Sequence, residues 1–291
     1  MPELPEVESI RRGLSRRVRG DVIESVWLGE KPEPLKSPAP EIVAALEQAR
    51  IAAVRRVGKH LVFDLEIAQP RTLRLRSGQT PLPHGSRRTQ PHSQWIVHLG
   101  MTGRLVIAQP ESEIARHTHA IVRLQSGREL RFVDPRRFGR LSVVRDPGGF
   151  APGGQEPLGA GVRQFAHLFH GRKTPIKSAL LNQKLLRGVG NIYADESLYR
   201  AGIRPRRRAS RLTGEELARL RRALQQVLRE AIRAGGSSVS DYVNADGDEG
   251  FFQFEHRVYG REGEPCRECR SAIKRVVIAG RSAHYCPKCQ R

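Results

Sequence analysis

Met1-Pro2-Glu3-Leu4-Pro5-Glu6-Val7-Glu8 opens the chain and runs directly into Ser9-Ile10-Arg11-Arg12-Gly13-Leu14-Ser15-Arg16-Arg17-Val18. Val7, Ile10, Leu14 and Val18 recur at the spacing of one helical face, so a helix is predicted from Glu6 to Val18. Arg11, Arg12, Arg16 and Arg17 fall off that stripe and give the helix a basic side. Such a helix would hold the Pro2 end against the core. If Met1 is removed, Pro2 becomes a secondary α-amine, and an α-amino group titrates at about 7.7–8.0. A useful fraction is then a free nucleophile near neutral pH, and its attack on an aldehyde-level sugar carbon gives an iminium. Glu3, Glu6 and Glu8 set carboxylates beside it, where one could serve as acid or base. Taken alone, a Pro- and Glu-rich start is ordinarily a solvated, frayed terminus. The rest of the chain must choose.

The balance of charge points to a polyanion. Across 291 residues, 51 Lys and Arg stand against 30 Asp and Glu, a net charge of +21 with a pI near 11.0. That excess goes beyond what solubility needs and suggests nucleic acid or an anionic membrane surface. No apolar run reaches the roughly 18 residues that span a bilayer, and no signal peptide precedes the first motif. The sequence therefore predicts a soluble, cytoplasmic, nucleic-acid-binding protein of two or three domains.

After the first helix the pattern turns to short β-type runs: Val22-Ile23, Val26-Trp27-Leu28, Ile51 to Val57 and Leu61 to Leu65, with a short helix around Ile42 to Gln48. Lys59 sits between two of these runs in Gly58-Lys59-His60. Ala68 to Gln94 has four prolines, five arginines and no acidic residue. It cannot bury enough apolar surface to offset its ordering entropy and is predicted to be a mobile insertion at a hairpin tip. Strands resume at Trp95, Ala120 and Leu130; Gly100-Met101-Thr102-Gly103 follows the first, and the last runs into Asp134-Pro135-Arg136-Arg137-Phe138-Gly139. Arginine and phenylalanine on one turn could supply a probe for base edges and a wedge for the stack. A salt-bridged arginine beside a core Phe reads as well.

Gly148 to Gly161 reads as a linker. Helices are then predicted over Val162 to Phe169, Lys177 to Asn182, Tyr193 to Ala201 and Thr213 to Ala234, the last with a box-like Thr213-Gly214-Glu215-Glu216 start. Gly188-Val189-Gly190-Asn191 opens one of them and could leave backbone N–H groups free for a phosphate. The four cysteines stand at the end as Cys266-x2-Cys269-x16-Cys286-x2-Cys289. Two such knuckles supply four thiolates to one tetrahedral zinc, with no position left open for catalysis. The metal is thus expected to be structural.

Six collinear motifs now carry a resemblance: the opening octapeptide, Gly58-Lys59, His98-Leu99-Gly100-Met101-Thr102-Gly103, Asp134 to Gly139, Gly188 to Ala194, and the terminal zinc hairpin. Their order resembles bacterial formamidopyrimidine-DNA glycosylase over the whole chain except Ala68 to about Gln94. The resemblance implies an α+β multidomain fold. Its parts would be an N-terminal catalytic β-sandwich (1–150, with 68–94 inserted), a helix-two-turn-helix DNA-binding domain (151–256), and a four-cysteine zinc finger (257–291). It implies a monomer that binds damaged double-stranded DNA in a cleft, acting in base excision repair near the nucleoid. The activity implied is excision of oxidised purines (8-oxoguanine, formamidopyrimidines) and β,δ-elimination at the abasic site, with one structural zinc and no nucleotide cofactor.

Residue by residue, Pro2 resembles the Schiff-base nucleophile, Glu3 the neighbouring acid/base, Lys59 the proton donor of β-elimination, and Arg281 the finger arginine assigned to δ-elimination. Met101, Arg136 and Phe138 match the residues that fill the gap left by a flipped nucleotide. His117, Arg172, Lys173 and Asn191 stand at DNA-contact positions. The chain departs from the pattern at Arg172 (usually Lys), Asn182 and Thr118 (each usually Asp), and Gly280 and Ala283. These departures bear on DNA positioning and leave the chemistry intact. Two alternatives stay open: an oxidised-pyrimidine glycosylase resembling endonuclease VIII, against which Leu4 speaks, and a catalytically idle zinc-finger DNA-binding protein.

Overall fold

The computed structural model describes residues 1–67, 93–145, 148–238, 242–245 and 247–291. These residues divide into two compact units. One comprises residues 13–55 and 61–151, the other residues 1–12, 56–60 and 152–291. The first helix, α1 (Leu4–Val18), begins in one unit and ends in the other. It starts two residues earlier than the apolar stripe predicts.

The sheet-bearing unit holds β1 (Ile23–Leu28), α2 (Ala39–Leu46), β2 (Ala49–Val57), β3 (His60–Ile67), β4 (Ser93–His98), β5 (Arg104–Ala108), β6 (Thr118–Leu124), β7 (Glu129–Val133) and β8 (Arg140–Val144). Two four-stranded sheets result, ordered β1-β6-β7-β5 and β2-β3-β4-β8. This is the predicted sandwich. The two N-terminal runs, Val22-Ile23 and Val26 to Leu28, prove to be one strand interrupted by a register shift between Ile23 and Ser25. Central β7 alternates by period two: Leu130 and Phe132 are fully buried, while Glu129 and Arg131 pair with each other at 2.8 Å. Arg131 also donates to the carbonyls of Ser112 and Glu113, both at 2.9 Å, so its buried charge is fully engaged. Removing one partner of such a pair would cost about 3–5 kcal/mol.

The sequence reading of 68–94 as a mobile insertion falls mostly outside the described residues. Its end does not: Ser93 and Gln94 are buried in β4. Gln94 donates to Asp64 at 2.7 Å and accepts from the Phe150 backbone at 2.6 Å, so the strand begins before Trp95.

The second unit is helical with a terminal hairpin: α3 (Val162–His167), α4 (Ile176–Leu181), α5 (Asn191–Arg200), α6 (Gly214–Arg233), β9 (Lys274–Ile278) and β10 (Arg281–Tyr285). Leu220, Leu224, Val227 and Leu228 of α6 are fully buried in a core shared with Phe165, Ile176 and Tyr193. Thr213 caps α6 by the reciprocal bonds its sequence predicts, with Glu216 N to Thr213 Oγ1 at 3.2 Å and Thr213 N to Glu216 Oε2 at 2.9 Å. Such a cap contributes about 1 kcal/mol. The Gly/Pro stretch read as a linker is anchored from Gln155 on, because Ala160 is fully buried and Gln225 donates to the Pro157 carbonyl at 2.9 Å. Arg204 and Arg207, in the arginine-rich stretch between α5 and α6, have structural tasks as well. Arg204 donates to the carbonyls of Gln290 and Pro287, both at 2.9 Å, and Arg207 forks onto Glu216 at 2.6 and 2.9 Å. Among the described residues, no helix is long and apolar enough to cross a membrane.

Candidate active site

The unit formed by 1–12, 56–60 and 152–291 gathers the start of the chain, the Lys59 turn, the N-terminus of α5 and the zinc hairpin. Pro2 is buried while Met1 is exposed, because Leu4 inserts into the helical core and draws the chain start in with it. Glu3 is buried and accepts from the Ile192 backbone N–H at 3.3 Å. The Gly-x-Gly segment therefore does not leave that helix N-terminus open for a phosphate. The chain's own carboxylate occupies it.

Burial pushes the Glu3 carboxyl up to about 7, against the pull of Lys59. Its Oε2 is buried and has no hydrogen-bond partner. A carboxyl held near neutrality with one oxygen unengaged can deliver or receive a proton at physiological pH. Lys59 is buried too, and not solvated as a turn lysine ordinarily is. Desolvation lowers its pKa, Glu3 raises it, and the Arg281 guanidinium lowers it again. Lys59 is thus within electrostatic reach of both Glu3 and Arg281.

The turn that carries Lys59 is clamped by Arg56. Its guanidinium donates to the Gly58 carbonyl at 3.2 Å, to Glu8 at 3.2 Å and to Glu156 at 2.8 Å. Glu8, which the sequence offers as a possible acid or base, is engaged instead with Arg11, Arg12 and Arg56, and these cations hold its pKa down.

Glu6 also has a structural task. One of its oxygens accepts from the Tyr193 hydroxyl and from the Ser237 N–H at 2.8 Å, the other from the Glu3 N–H at 2.8 Å. It fixes the backbone of Glu3. The sequence signal was available, since Glu6 lies four residues before Ile10 on the buried face of α1.

Asn191 opens α5, donates to Ser282 Oγ at 3.3 Å and leaves its buried Oδ1 without a partner. Tyr259, which the sequence reading does not single out, has its hydroxyl against Asn191. Arg172 and Lys173 are exposed in the turn after α3, where Arg172 Nε donates to the Leu168 carbonyl at 2.5 Å. Asn182, in the place of an aspartate, accepts from the Lys184 N–H at 2.9 Å.

The other unit brings Met101, Arg136 and Phe138 together. Asp134 is fully buried and accepts from Thr102 Oγ1 at 2.6 Å, Arg136 N at 3.3 Å and Gly139 N at 2.7 Å. One carboxylate thereby ties both loops. Gly100, at φ 64°, lies so close that an added Cβ would stand 2.5 Å from Gly139 N. Met101 and Phe138 remain 41% and 51% exposed, and the Arg136 guanidinium stacks 4.8 Å from the Phe138 ring centroid. The bland reading of a core Phe fails here. An exposed apolar side chain held by a buried ionic hub suits insertion into a base stack. His117 is exposed on the loop before β6, and its carbonyl accepts from the Asp134 N–H at 3.0 Å. Thr118 turns inward and closes that loop on the Ala115 carbonyl at 2.7 Å, so its hydroxyl serves the fold.

At the chain end, one Sγ from each of Cys266, Cys269, Cys286 and Cys289 lies within 4.8 Å of the others, and all four are free thiols. A tetrahedron of thiolates about 2.3 Å from zinc has edges of about 3.8 Å, which this set fits. The site takes one structural zinc, and Tyr199 donates toward or accepts from Cys266 Sγ at 3.2 Å beneath it.

Comparison with known proteins agrees with this layout. Residues 1–141 match the formamidopyrimidine-DNA glycosylase N-terminal domain, 154–243 its H2TH domain, and 263–291 the zinc finger found in FPG and IleRS. A formamidopyrimidine-DNA glycosylase from Solibacter usitatus is 41% identical over 293 residues, covering 100% of both chains. The crystal structure of the MutM (Fpg) protein from Thermus thermophilus superposes with a TM-score of 0.81 at 41% identity, covering 99% of this chain and 98% of that one. A Lactococcus lactis Fpg mutant in complex with Fapy-dG containing DNA gives a TM-score of 0.84 at 28% identity over 100% of both chains. The chain belongs to the formamidopyrimidine-DNA glycosylase family.

Proposed function

We propose that this protein is a bifunctional DNA glycosylase and abasic-site lyase of base excision repair, acting on oxidised purines in duplex DNA. The observation that carries this reading is Glu3, a buried carboxyl titrating near 7 with an unengaged oxygen, set beside the chain start and Lys59. An idle DNA-binding protein has no use for that arrangement, which costs stability.

The chemistry follows from the groups present. With Met1 removed, the neutral Pro2 nitrogen attacks C1′ of the damaged nucleotide. The C1′–base bond breaks and the base leaves with its electron pair and a proton. Protonated Glu3 gives its proton to O4′ as the C1′–O4′ bond opens, leaving an iminium between Pro2 and C1′. The iminium acidifies the C2′ proton. Its loss expels the 3′-phosphate, and loss of a second proton further along the conjugated sugar expels the 5′-phosphate. Lys59, its pKa lowered by burial, serves the proton transfers of these eliminations, and Arg281 stabilises the departing phosphate. Zinc holds the finger and takes no part in the steps.

Flipping a nucleotide out of the helix costs a few kcal/mol. Met101, Arg136 and Phe138 fill the space it leaves, while His117, Arg172, Lys173 and Asn191 contact the DNA. The net charge of +21 makes binding strongly salt-dependent and keeps the enzyme with the nucleoid in the cytoplasm. Borohydride trapping on duplexes carrying 8-oxoguanine or an oxidised pyrimidine tests the reading. Faster trapping on 8-oxoguanine supports it, and preferential trapping on the pyrimidine duplex would assign the chain to the endonuclease VIII type of substrate.

A further inference from the structure

Beneath the zinc hairpin, Lys177 of α4 and Asp195 of α5 form an ion pair at 2.6 Å whose side chains are 1% and 0% exposed. Nothing in the proposed reaction uses either residue. Both reach across to β10. Lys177 Nζ also donates to the Ser282 carbonyl, and the second Asp195 oxygen accepts from the His284 N–H at 2.8 Å, with His284 Nδ1 at 3.3 Å. The pair therefore grips the backbone of β10 at the first and third residues after Arg281.

The hairpin needs such a grip. Its strands are five residues each, and β9 is largely exposed. An isolated two-stranded ribbon of that length is marginal at best. Zinc secures the Cys286 end, immediately after β10. Arg281 stands at the opposite end, paired with Ile278 across a tight turn in which Ala279 and Gly280 both have positive φ. Between turn and metal, the Lys177–Asp195 pair supplies directional bonds to the β10 backbone, and Asn191 adds one at Ser282 Oγ. Asn191 and Asp195 are four residues apart on α5, so one helix face presents both to the hairpin. That same helix receives Glu3 at its N-terminus. An apolar pair would fill the space equally well, but could not fix strand register as hydrogen bonds do.

We propose that Lys177 and Asp195 are positioning residues that set the register of β10 and so place the Arg281 guanidinium for the elimination step, a proposal that rests on the reading of Arg281 given above. The hydrogen bonds of the pair reach the hairpin that carries Arg281 and none reaches Pro2 or Glu3, although Lys177 also feels the Glu3 charge. Loss of the pair should therefore separate the two halves of the reaction.

The test uses zinc-loaded, full-length protein and a duplex with a preformed abasic site. Asp195→Asn keeps an acceptor for His284 N–H but removes the charge that orients Lys177. It should retain one zinc per chain and borohydride trapping within about twofold of the parent, while the second elimination product falls about tenfold, a loss of ~1.4 kcal/mol in transition-state stabilisation. Arg281→Ala should lose that product as well, and Asp195→Asn combined with Arg281→Ala should fall no further, because residues acting through one group are not additive. Additive losses, or an unchanged product ratio in Asp195→Asn, overturn the proposal. If Arg281→Ala alone leaves the ratio unchanged, the reading of Arg281 fails and the proposal with it. Should Asp195→Asn lose zinc, Lys177→Gln is the second variant, since it can still donate to the Ser282 carbonyl and leaves Asp195 bonded to His284. Zinc loss there too would make the pair a fold element and overturn its positioning role.

Discussion

Gly190 and Glu3 occupy adjoining space so closely that a β-carbon on Gly190 would stand 2.1 Å from the Glu3 carboxyl carbon. Only a residue without a side chain lets the carboxylate reach the N-terminus of α5. Gly190→Ala should displace Glu3 and slow base excision about a hundredfold, the usual consequence of a misplacement near 1 Å. Gly214→Ala, at a position with open space at the start of α6, is the matched control and should leave excision unchanged. Single-turnover excision of 8-oxoguanine by both variants makes the comparison.

The raised pKa of Glu3 has a thermodynamic signature. A carboxyl that titrates near 7 when folded and near 4.5 when unfolded binds its proton more tightly in the native state. Its contribution to stability is complete below pH 4.5 and is lost as pH rises through 7. Glu3→Gln should therefore stabilise the protein at pH 8, by about 3 kcal/mol since the pull of Lys59 is already contained in the raised value, and change little at pH 4.5. Thermal melts at the two pH values check this. Equal melting temperatures for parent and variant at pH 8 would show that Glu3 is not a strained acid.

The gap-filling loops predict a difference between substrates. Phe138→Ala should slow excision of a paired lesion about tenfold, equivalent to ~1.4 kcal/mol, and affect cleavage at an existing abasic site less, because the latter is easier to unstack. Equal losses on both substrates would mean that Phe138 supports the fold of its loop and nothing more.

Zinc removal tests the finger. Cys269→Ala should take bound zinc from about one per chain to none, unfold the β9–β10 hairpin and weaken DNA binding, while the core around Tyr193 persists. Undiminished activity in verified zinc-free protein would contradict a structural role for the metal.

Much of this was legible in the sequence, for physical reasons that differ by element. The stripe of α1, the capping box of α6 and the cysteine knuckles are local patterns, and each appears where the residues predict it. Short β5 and β8 escaped the pattern reading because each follows directly on a Gly turn with little room for alternation. The boundary at Ser93 was missed because the partners that bury this strand start lie far along the chain: Ala45 for Ser93, and Asp64 and Phe150 for Gln94. The same holds at the site. Pro2, Glu3 and Lys59 announce themselves by motif. The residues that hold them do not: Arg56 meets Glu156 across 100 positions, Glu6 meets Ser237 across 231, and Lys177 meets Ser282 across 105. A buried ionic hub such as Asp134 looks like any turn aspartate until both loops it joins are in place.

The proposed chemistry turns on the identity of the nucleophile, which covalent trapping identifies. Protein with Met1 removed is trapped by borohydride on a duplex with an abasic site, digested, and the DNA-bearing peptide sequenced, beside a preparation whose terminal nitrogen is acetylated. A Pro2 nucleophile gives a single adduct at residue 2, and no adduct or strand cleavage from the acetylated protein, which should still bind the duplex. An adduct formed at the normal rate by the acetylated protein, or mapped to Lys59 or another lysine, would contradict the role given to Pro2.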